Sequence, residues 1–182
     1  MPIYEFENKK PNIGKGTFIF KSADIIGDVI IGENCYIGPG ARIRGDYGSI
    51  RIRDNTAIEE NVVIHARPDD TTNIGNWVTI GHASIIHNAT VHDWAVIGMG
   101  AIVSDWAEIG KWSVIAEGAV VKNKQKIPDK AIAVGVPAKV VSEISLEYEK
   151  QWAKYKKIYK CLARKRFPVS LREIDFTEME DK

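Results

Sequence analysis

The sequence predicts a mainly β fold in which short parallel strands wind into a coil, followed by one C-terminal α-helix. The first observation is a six-residue repeat, in which an isoleucine or valine returns at every sixth position apart from two short insertions and one deletion. The second is the glycine or small residue that accompanies most repeats. The third is a change of pattern after Pro137, where apolar residues return every three or four positions.

The repeat is too regular for chance, because every member of the series is isoleucine or valine. The members are Ile13, Ile19, Ile25, Ile31, Ile37, Ile43, Ile52, Ile58, Ile64, Ile74, Ile80, Ile86, Val91, Ile97, Val103, Ile109, Ile115, Val121 and Ile127. A period of six would spread these residues over several faces of an α-helix. It fits a short strand with an inward β-branched side chain and glycine at the bend. A small residue usually follows four positions later, and we expect Thr90 to hold that interior position after Ile86.

The repeat resembles the left-handed parallel β-helix of hexapeptide-repeat proteins, which has three strands per coil. The resemblance alone supplies the left hand, because parallel crossovers are generally right-handed. With three repeats per coil, repeats whose numbers differ by three lie on one face, about 4.8 Å apart. The order of the repeats therefore predicts which side chains stack in columns.

One such column carries candidate metal ligands. Arg44, His65 and His87 each follow the isoleucine of a repeat on the same face. Zn–N bonds of about 2.0–2.1 Å place two ligand nitrogens roughly 3.3 Å apart, which suits adjacent rungs. His82 belongs to the preceding face, so we expect it to reach the metal from a neighbouring subunit, in a contact that cyclic symmetry repeats and closes.

The residues after Pro137 predict a helix on the side of the coil. Ser142 or Ser145 can cap it, and basic residues follow towards its negative end. Its apolar stripe is predicted to contain Tyr148, Trp152, Tyr155, Tyr159 and Leu162. We expect this stripe to pack on the face that carries Trp77, Trp94 and Trp112. The predicted organisation is a β-helix over 1–141, a helix over 142–168 and a polar tail over 169–182.

Composition excludes several classes of protein. A net charge of +1 gives no field that would draw the 182-residue chain to nucleic acid or to a membrane. The start of the chain has no apolar stretch typical of a signal peptide, and no run is long enough to span a bilayer. The two cysteines have neither metal spacing nor a disulfide framework. We therefore expect a cytoplasmic protein without nucleic-acid or membrane partners.

Five strings of residues resemble the gamma-class carbonic anhydrase family, most closely its carnitine-operon and phenylacetate-operon branch. The strings are Arg44–Gly48, Asn61–His65, Ile80–His87, Ile97–Ala101 and Gly135–Val141. The similarity covers about residues 10–165. It implies a homotrimer in which His65, His82 and His87 bind Zn²⁺ across subunit interfaces, with Fe²⁺ or Co²⁺ as alternatives. It also implies that Arg44 and Asp46 lie at the interface and shape the site.

Two features depart from the family pattern. Glu59 stands where family members often have an amide, and the loop Ala66–Asn73 lacks the long acidic insertion that carries a proton-shuttle glutamate in some members. Asp69 and Asp70 in this loop are not assigned that role. The departures leave the metal ligands in place and bear on how protons leave the site.

The resemblance implies reversible hydration of CO₂ to bicarbonate by a metal-activated water. Arg44 would orient the anion, and Glu59 would accept the proton of the water or hold a supporting hydrogen bond. Three alternatives stay open. They are a metal-dependent acyl-CoA thioesterase, a CoA-dependent acyltransferase that uses a histidine base, and a weakly catalytic metal-binding scaffold.

Overall fold

The computed structural model describes residues 3–174, which form a left-handed parallel β-helix followed by a C-terminal helix. The strands are β1 Ile3–Tyr4, β2 Asn12–Ile13, β3 Phe18–Ile19, β4 Asp24–Ile31, β5 Tyr36–Ile37, β6 Arg42–Ile52, β7 Ala57–Ile58, β8 Val63–His65, β9 Thr71–Ile74, β10 Thr79–Ile80, β11 Ile85–His87, β12 Thr90–Val91, β13 Val96–Ile97, β14 Ile102–Val103, β15 Glu108–Ile109, β16 Val114–Ile115, β17 Val120–Val121, β18 Lys126–Ile127, β19 Ala131–Val134 and β20 Lys139–Glu143. Helix α1 spans Leu146–Cys161, a π-helical segment spans Leu162–Arg166, and α2 spans Phe167–Ser170.

The coil has three faces. Face 1 contains β8, β11, β14 and β17, face 2 contains β9, β12, β15 and β18, and face 3 contains β3, β5, β7, β10, β13, β16 and β19. The long strands β4 and β6 turn a corner and pair on both face 1 and face 2. Strand β20 closes face 3 as an antiparallel edge.

The repeat series forms the interior, which confirms the predicted fold. Every member except Ile13 is buried, and each pairs with its equivalent on the next rung, as Ile64 does with Ile86. One interior position differs from the prediction, because Ala89 is buried after Ile86 and Thr90 is only partly buried. Within a repeat, the small side chain stands two residues before the next inward residue. Because the repeat that starts at Ile86 is one residue short, its next inward residue is Val91, and the small side chain is therefore at position 89 instead of 90.

The three tryptophans of the predicted column stack at the corner that follows face 2. Trp77 and Trp94 have ring centroids 5.0 Å apart, and Trp94 and Trp112 have centroids 4.8 Å apart. All three residues have left-handed backbone angles, with φ of 56°, 67° and 61°. Such angles are unfavourable for residues with a Cβ, and stacking of near-parallel indoles offsets this cost. The column therefore has a packing role.

Helix α1 packs on face 3, so the prediction that it lies on the tryptophan face is wrong. The Tyr159 ring lies 5.3 Å from that of Tyr36, and the Phe167 ring stacks 5.3 Å from that of Phe18. Lys160 of α1 reaches the edge of the tryptophan column, with its Nζ 5.0 Å from the centre of the Trp77 ring. The reason is that face 3 carries outward aromatic side chains on its first rungs, which form an apolar surface for the helix.

The buried stripe of the helix also differs from the predicted one. Tyr155 is 45% exposed, whereas Lys156 is only 2% exposed. The π-helical segment that begins at Leu162 lets the chain bend so that Ala163 is buried against face 3. Within α1 itself, the side that faces the coil runs through Trp152, Lys156 and Tyr159, so a lysine is buried and Tyr155 is not.

The end of the chain departs from the predicted boundaries. Ser145 is the N-cap, since its hydroxyl accepts from the Tyr148 amide at 3.1 Å, while Ser142 belongs to β20. Helical turns continue to Ser170, and the part of the predicted tail over 175–182 lies outside the described residues. None of the described helices is long and apolar enough to cross a membrane.

Candidate metal centre

The register of face 1 brings His65 and His87 together. Strands β8 and β11 pair in parallel with His65 opposite His87, and β6 pairs with β8 so that Arg44 stands opposite His65. Both histidines end their strands, where side chains alternate and the inward neighbour is a buried isoleucine. The three residues therefore form the column that the repeat order predicted.

Each of these imidazoles has a carboxylate on its far nitrogen. His65 Nε2 lies 2.8 Å from Asp46 Oδ1, and His87 Nδ1 lies 2.6 Å from Asp105 Oδ1. A carboxylate accepts a hydrogen bond from the ring nitrogen that carries the proton. In the neutral ring the lone pair is then on the other nitrogen, His65 Nδ1 or His87 Nε2.

The two lone-pair nitrogens lie 3.3 Å apart. A cation between them would make this approach favourable, because two neutral imidazoles that both offer a lone pair have no hydrogen to share. The separation equals the roughly 3.3 Å expected for two ligands of a tetrahedral Zn²⁺ with bonds of about 2.0–2.1 Å. The donor set thus fits a zinc-type metal. Within residues 3–174 of one chain, no third histidine, cysteine or carboxylate completes such a group.

His82 lies at the corner after face 3 and does not join the pair in one chain. Its side chain is 48% exposed, with Nδ1 at 2.5 Å from Glu60 and Nε2 at 3.1 Å from Glu59. Gly81, just before His82, lets this corner approach the next rung closely, because a Cβ at this position would lie 2.8 Å from the carbonyl oxygen of Ile97. The exposed imidazole is available to a group outside the chain.

Two tyrosines hold the carboxylates behind His82. The Tyr36 hydroxyl donates to Glu60 Oε1 at 2.6 Å, and Tyr159 of helix α1 lies near Glu59. Burial, together with the bond to Glu60, raises the pKa of Tyr36 far above its usual value, so the phenol remains a donor. Glu59, which is 5% exposed, is therefore fixed beside Nε2 of His82.

Asp46 connects Arg44 to the histidine column. Arg44 Nη1 lies 2.6 Å from Asp46 Oδ2, and the other carboxylate oxygen faces His65. Burial acts to raise the pKa of Asp46, but the bonds from His65 and the Tyr47 amide and the charge of Arg44 outweigh it. The carboxylate is therefore ionised, and Arg44 is held at the edge of the site with its side chain 48% exposed.

Asp105 is a site residue that sequence reasoning missed. The Arg67 guanidinium, 2.7 Å away, holds the pKa of the Asp105 carboxyl below its usual range, and the bond from His87 adds to this effect. Asp105 is 6% exposed. Since Ile86 pairs with Val103, the register contained the signal, because Asp105 follows one rung beyond His87.

We expect Asp105→Asn to lower metal affinity by roughly 10–100-fold, the usual effect of removing a carboxylate that orients a ligating histidine. The amide loses the charge that keeps the proton on His87 Nδ1. Competition with a chromophoric chelator measures the change. Asp54→Asn is the matched control, because Asp54 accepts a backbone bond at 2.8 Å from Glu33, in a corner without histidines. Equal affinity in both variants would show that Asp105 does not orient the ligand.

The short loop before β9 has a structural role. The Asp70 carboxylate accepts from Asn88 at 2.8 Å and from the Trp106 indole at 2.9 Å. These bonds, with that from Asn88 the largest, lower the pKa of Asp70. A carboxylate engaged in this way is poorly suited to carry protons.

A cavity of about 320 Å³ lies between helix α1 and face 3, next to His82. Glu59 and His82 are at one end, and the rings of Tyr148, Trp152 and Tyr159 form the wall on the helix side. A cavity of this size holds a small organic group and is far larger than CO₂ needs.

Comparison with known proteins gives consistent relatives. The family described as bacterial transferase hexapeptide (six repeats) matches residues 10–45. The chain is 33% identical over 146 residues to gamma carbonic anhydrase 2 of Arabidopsis thaliana mitochondria. That match covers 77% of this chain and 52% of the plant protein, so the chain spans about half its length.

Two further relatives match over more of their length. The carnitine operon protein CaiE of Escherichia coli is 34% identical over 145 residues, covering 80% of this chain and 74% of CaiE. A proposed acetyltransferase from Bacillus cereus has a similar structure, with a TM-score of 0.87 and 34% identity over 89% of this chain and 94% of that one. Two of these names state an activity, carbonic anhydrase for the plant protein and acetyltransferase for the Bacillus cereus protein, and the two activities differ.

Proposed function

The chain belongs to the hexapeptide-repeat family of the gamma carbonic anhydrases and the carnitine operon protein CaiE, and from this membership we propose that it is a zinc-dependent carbonic anhydrase. The proposed assembly is a homotrimer with one metal at each subunit interface. Fe²⁺ and Co²⁺ are alternative metals, since imidazole suits several of them. A cytoplasmic setting is part of the proposal and is supported by two free cysteines.

The observation that carries the proposal is the pair of imidazole lone pairs 3.3 Å apart on His65 and His87, each ring fixed by a carboxylate. This pair supplies two ligands of a tetrahedral site. His82 of the partner subunit is proposed as the third. Its Nδ1 lies against Glu60 and its Nε2 against Glu59, so one of these contacts would give way to the metal. Bound Zn²⁺ supplies a Lewis acid that makes water a nucleophile near neutral pH.

The other residues bind and orient. Arg44, turned towards the column by Asp46, is placed to bind the bicarbonate anion. Glu59 is placed beside Nε2 of His82 to accept the proton that hydration releases. The reaction consumes CO₂ and water and produces bicarbonate and one proton. The proton must therefore pass from Glu59 to the buffer.

A second candidate, hydrolysis of acyl-CoA thioesters, is favoured by one observation. The cavity of about 320 Å³ beside His82 and Glu59 has an aromatic wall that suits the apolar part of an acyl group. The same metal and the same Glu59 would serve this reaction, with the acyl group occupying the cavity. Filling it by Val114→Phe should reduce thioester turnover and spare CO₂ hydration.

The experiment is CO₂ hydration by the zinc-loaded protein over roughly pH 6–9, a window around the pKa of about 7 for an activated water. The rate is expected to rise with pH and to increase with concentrated imidazole buffer, because no acidic loop relays the proton. Glu59→Gln should lower the rate if Glu59 accepts the proton. An increase would show that Glu59 only replaces an orienting amide. Absence of hydration in the zinc-loaded trimer, even with imidazole, rules out the anhydrase function.

A further inference from the structure

Lys156 is the largest fully buried side chain of the described residues. Its Nζ donates to the Thr79 hydroxyl at 3.0 Å and to the Ala95 carbonyl at 3.1 Å, and it lies 5.5 Å from the centre of the Trp152 ring. Within residues 3–174, no carboxylate oxygen lies within the 4.0 Å of a salt bridge. A buried ammonium whose hydrogen-bond partners are all neutral is unfavourable, whereas a neutral amine is well accommodated.

Few charged groups face this amine. From the coil, Glu59 is the one that acts on it, with Glu60 and His82 beyond Glu59. From its own helix, Tyr159 turns to Glu59 and Lys160 turns to the tryptophan column. Burial lowers the pKa of Lys156 to about 7, and the Glu59 charge only partly opposes this. The packed arrangement therefore favours loss of the proton.

The segment around Lys156 covers the proposed site from the side. Tyr148, Trp152 and Tyr159 on the same side of α1 wall the cavity that ends at Glu59 and His82. Val96 on face 3 lies under this cover and is only 5% exposed. Separation of the helix from face 3 would open the cavity and expose Glu59.

We propose that helix α1 is a proton-linked lid, which closes over the cavity and Glu59 when the Lys156 amine is neutral and opens when that amine takes up a proton. The lid is a property of the chain alone and does not depend on a bound metal or on the reaction. It makes access to the cavity sensitive to pH.

The direction follows from the two protonation states. In the open lid Lys156 has its ordinary pKa near 10.5, and in the closed lid its pKa is about 7. Between about pH 7 and pH 10.5, closure of the lid therefore releases the proton of Lys156. Closure is most favourable above about pH 10.5, weakens as pH falls towards about 7, and is constant below. One proton per closure gives about a tenfold change in the opening equilibrium per pH unit within that window.

The test is thiol labelling under the lid. Val96→Cys is made with Cys161→Ser, so that the engineered thiol is covered when α1 is closed, while Cys35 stays buried in the core. At each pH, the labelling rate of this thiol is divided by its rate in the same protein with Lys156→Met. The division cancels the effect of pH on the ionisation of the thiol, which is common to both proteins. We expect this ratio to rise about tenfold per unit as pH falls from about 9.5 to about 7.5. Lys157→Met, which alters an exposed neighbouring lysine, is the control. The labelling rate with this substitution should equal the rate without it at every pH.

A labelling ratio that is independent of pH overturns the lid. So does a Lys157→Met substitution that changes the pH dependence of labelling as much as Lys156→Met does. Should the cysteine variant fail to fold, limited proteolysis of α1 by subtilisin in the otherwise unaltered protein decides, with the cleavage rate divided at each pH by that of Lys156→Met. A ratio that rises as pH falls from about 9.5 to about 7.5 supports the proposal, and a ratio that is independent of pH overturns it. Neither readout requires metal or CO₂, so failure of the anhydrase function would leave this test intact.

Discussion

His82→Ala chains are expected to lose the metal even though His65 and His87 are unchanged, and mixing them with His65→Ala chains is expected to restore part of it. Each single variant lacks one ligand at every interface. A complete interface needs His65 and His87 from one chain and His82 from its neighbour. In a mixed trimer, a His82→Ala chain can supply the first two and an adjacent His65→Ala chain can supply the third. With random mixing this applies to about one interface in four.

Metal content of the refolded mixture measures this recovery. His92→Ala is the matched control, because His92 is exposed at a repeat corner and should retain full metal. A mixture without any recovered metal, from chains that do form mixed trimers, would contradict a site shared between subunits. Full metal in His82→Ala alone would contradict the role of His82.

The second large effect is expected from the histidine column. His87→Ala should abolish both metal binding and CO₂ hydration, because it removes one of the two imidazole nitrogens that lie 3.3 Å apart. Arg44→Ala should keep the metal and lower the rate by at least about tenfold, as removal of a group that stabilises developing negative charge does. Metal analysis beside the hydration rate separates the two. Loss of metal in Arg44→Ala would show that Arg44 holds the site together and does not act on the anion.

The sequence was sufficient for the fold and for the histidine column because both depend on backbone register. Once the isoleucine series sets the rungs, pairing of His65 with His87 and of Arg44 with His65 follows without knowledge of side-chain rotamers. The same register implied the tryptophan stack at the corner after face 2. Periodic structure of this kind is the part of a fold that local pattern determines most fully.

The docking of the helix could not be obtained in this way. Its position depends on which outward side chains of the coil are apolar, and the aromatic residues of β3 and β5 make face 3 the better surface. The sequence-based choice set face 3 aside for the trimer, and it placed Tyr155 on the buried stripe, whereas the side of α1 that faces the coil carries Lys156. These outcomes depend on tertiary packing, which overrides the helical period.

Asp105 illustrates a different gap. Its place one rung beyond His87 was available from the register, but its role depends on a carboxylate rotamer that reaches both His87 and Arg67. Hydrogen bonds between side chains on different rungs depend on such rotamers, and sequence spacing alone does not specify them. The residues that orient the two histidines were for this reason only partly predicted.

Native mass spectrometry of protein purified without added metal, combined with elemental analysis, tests the shared metal site most directly. The account predicts a homotrimer that carries three metal ions, one per interface, and that loses all three in His82→Ala. A monomer with one metal per chain would contradict it, because within residues 3–174 of a single chain only His65 and His87 come together as imidazole ligands.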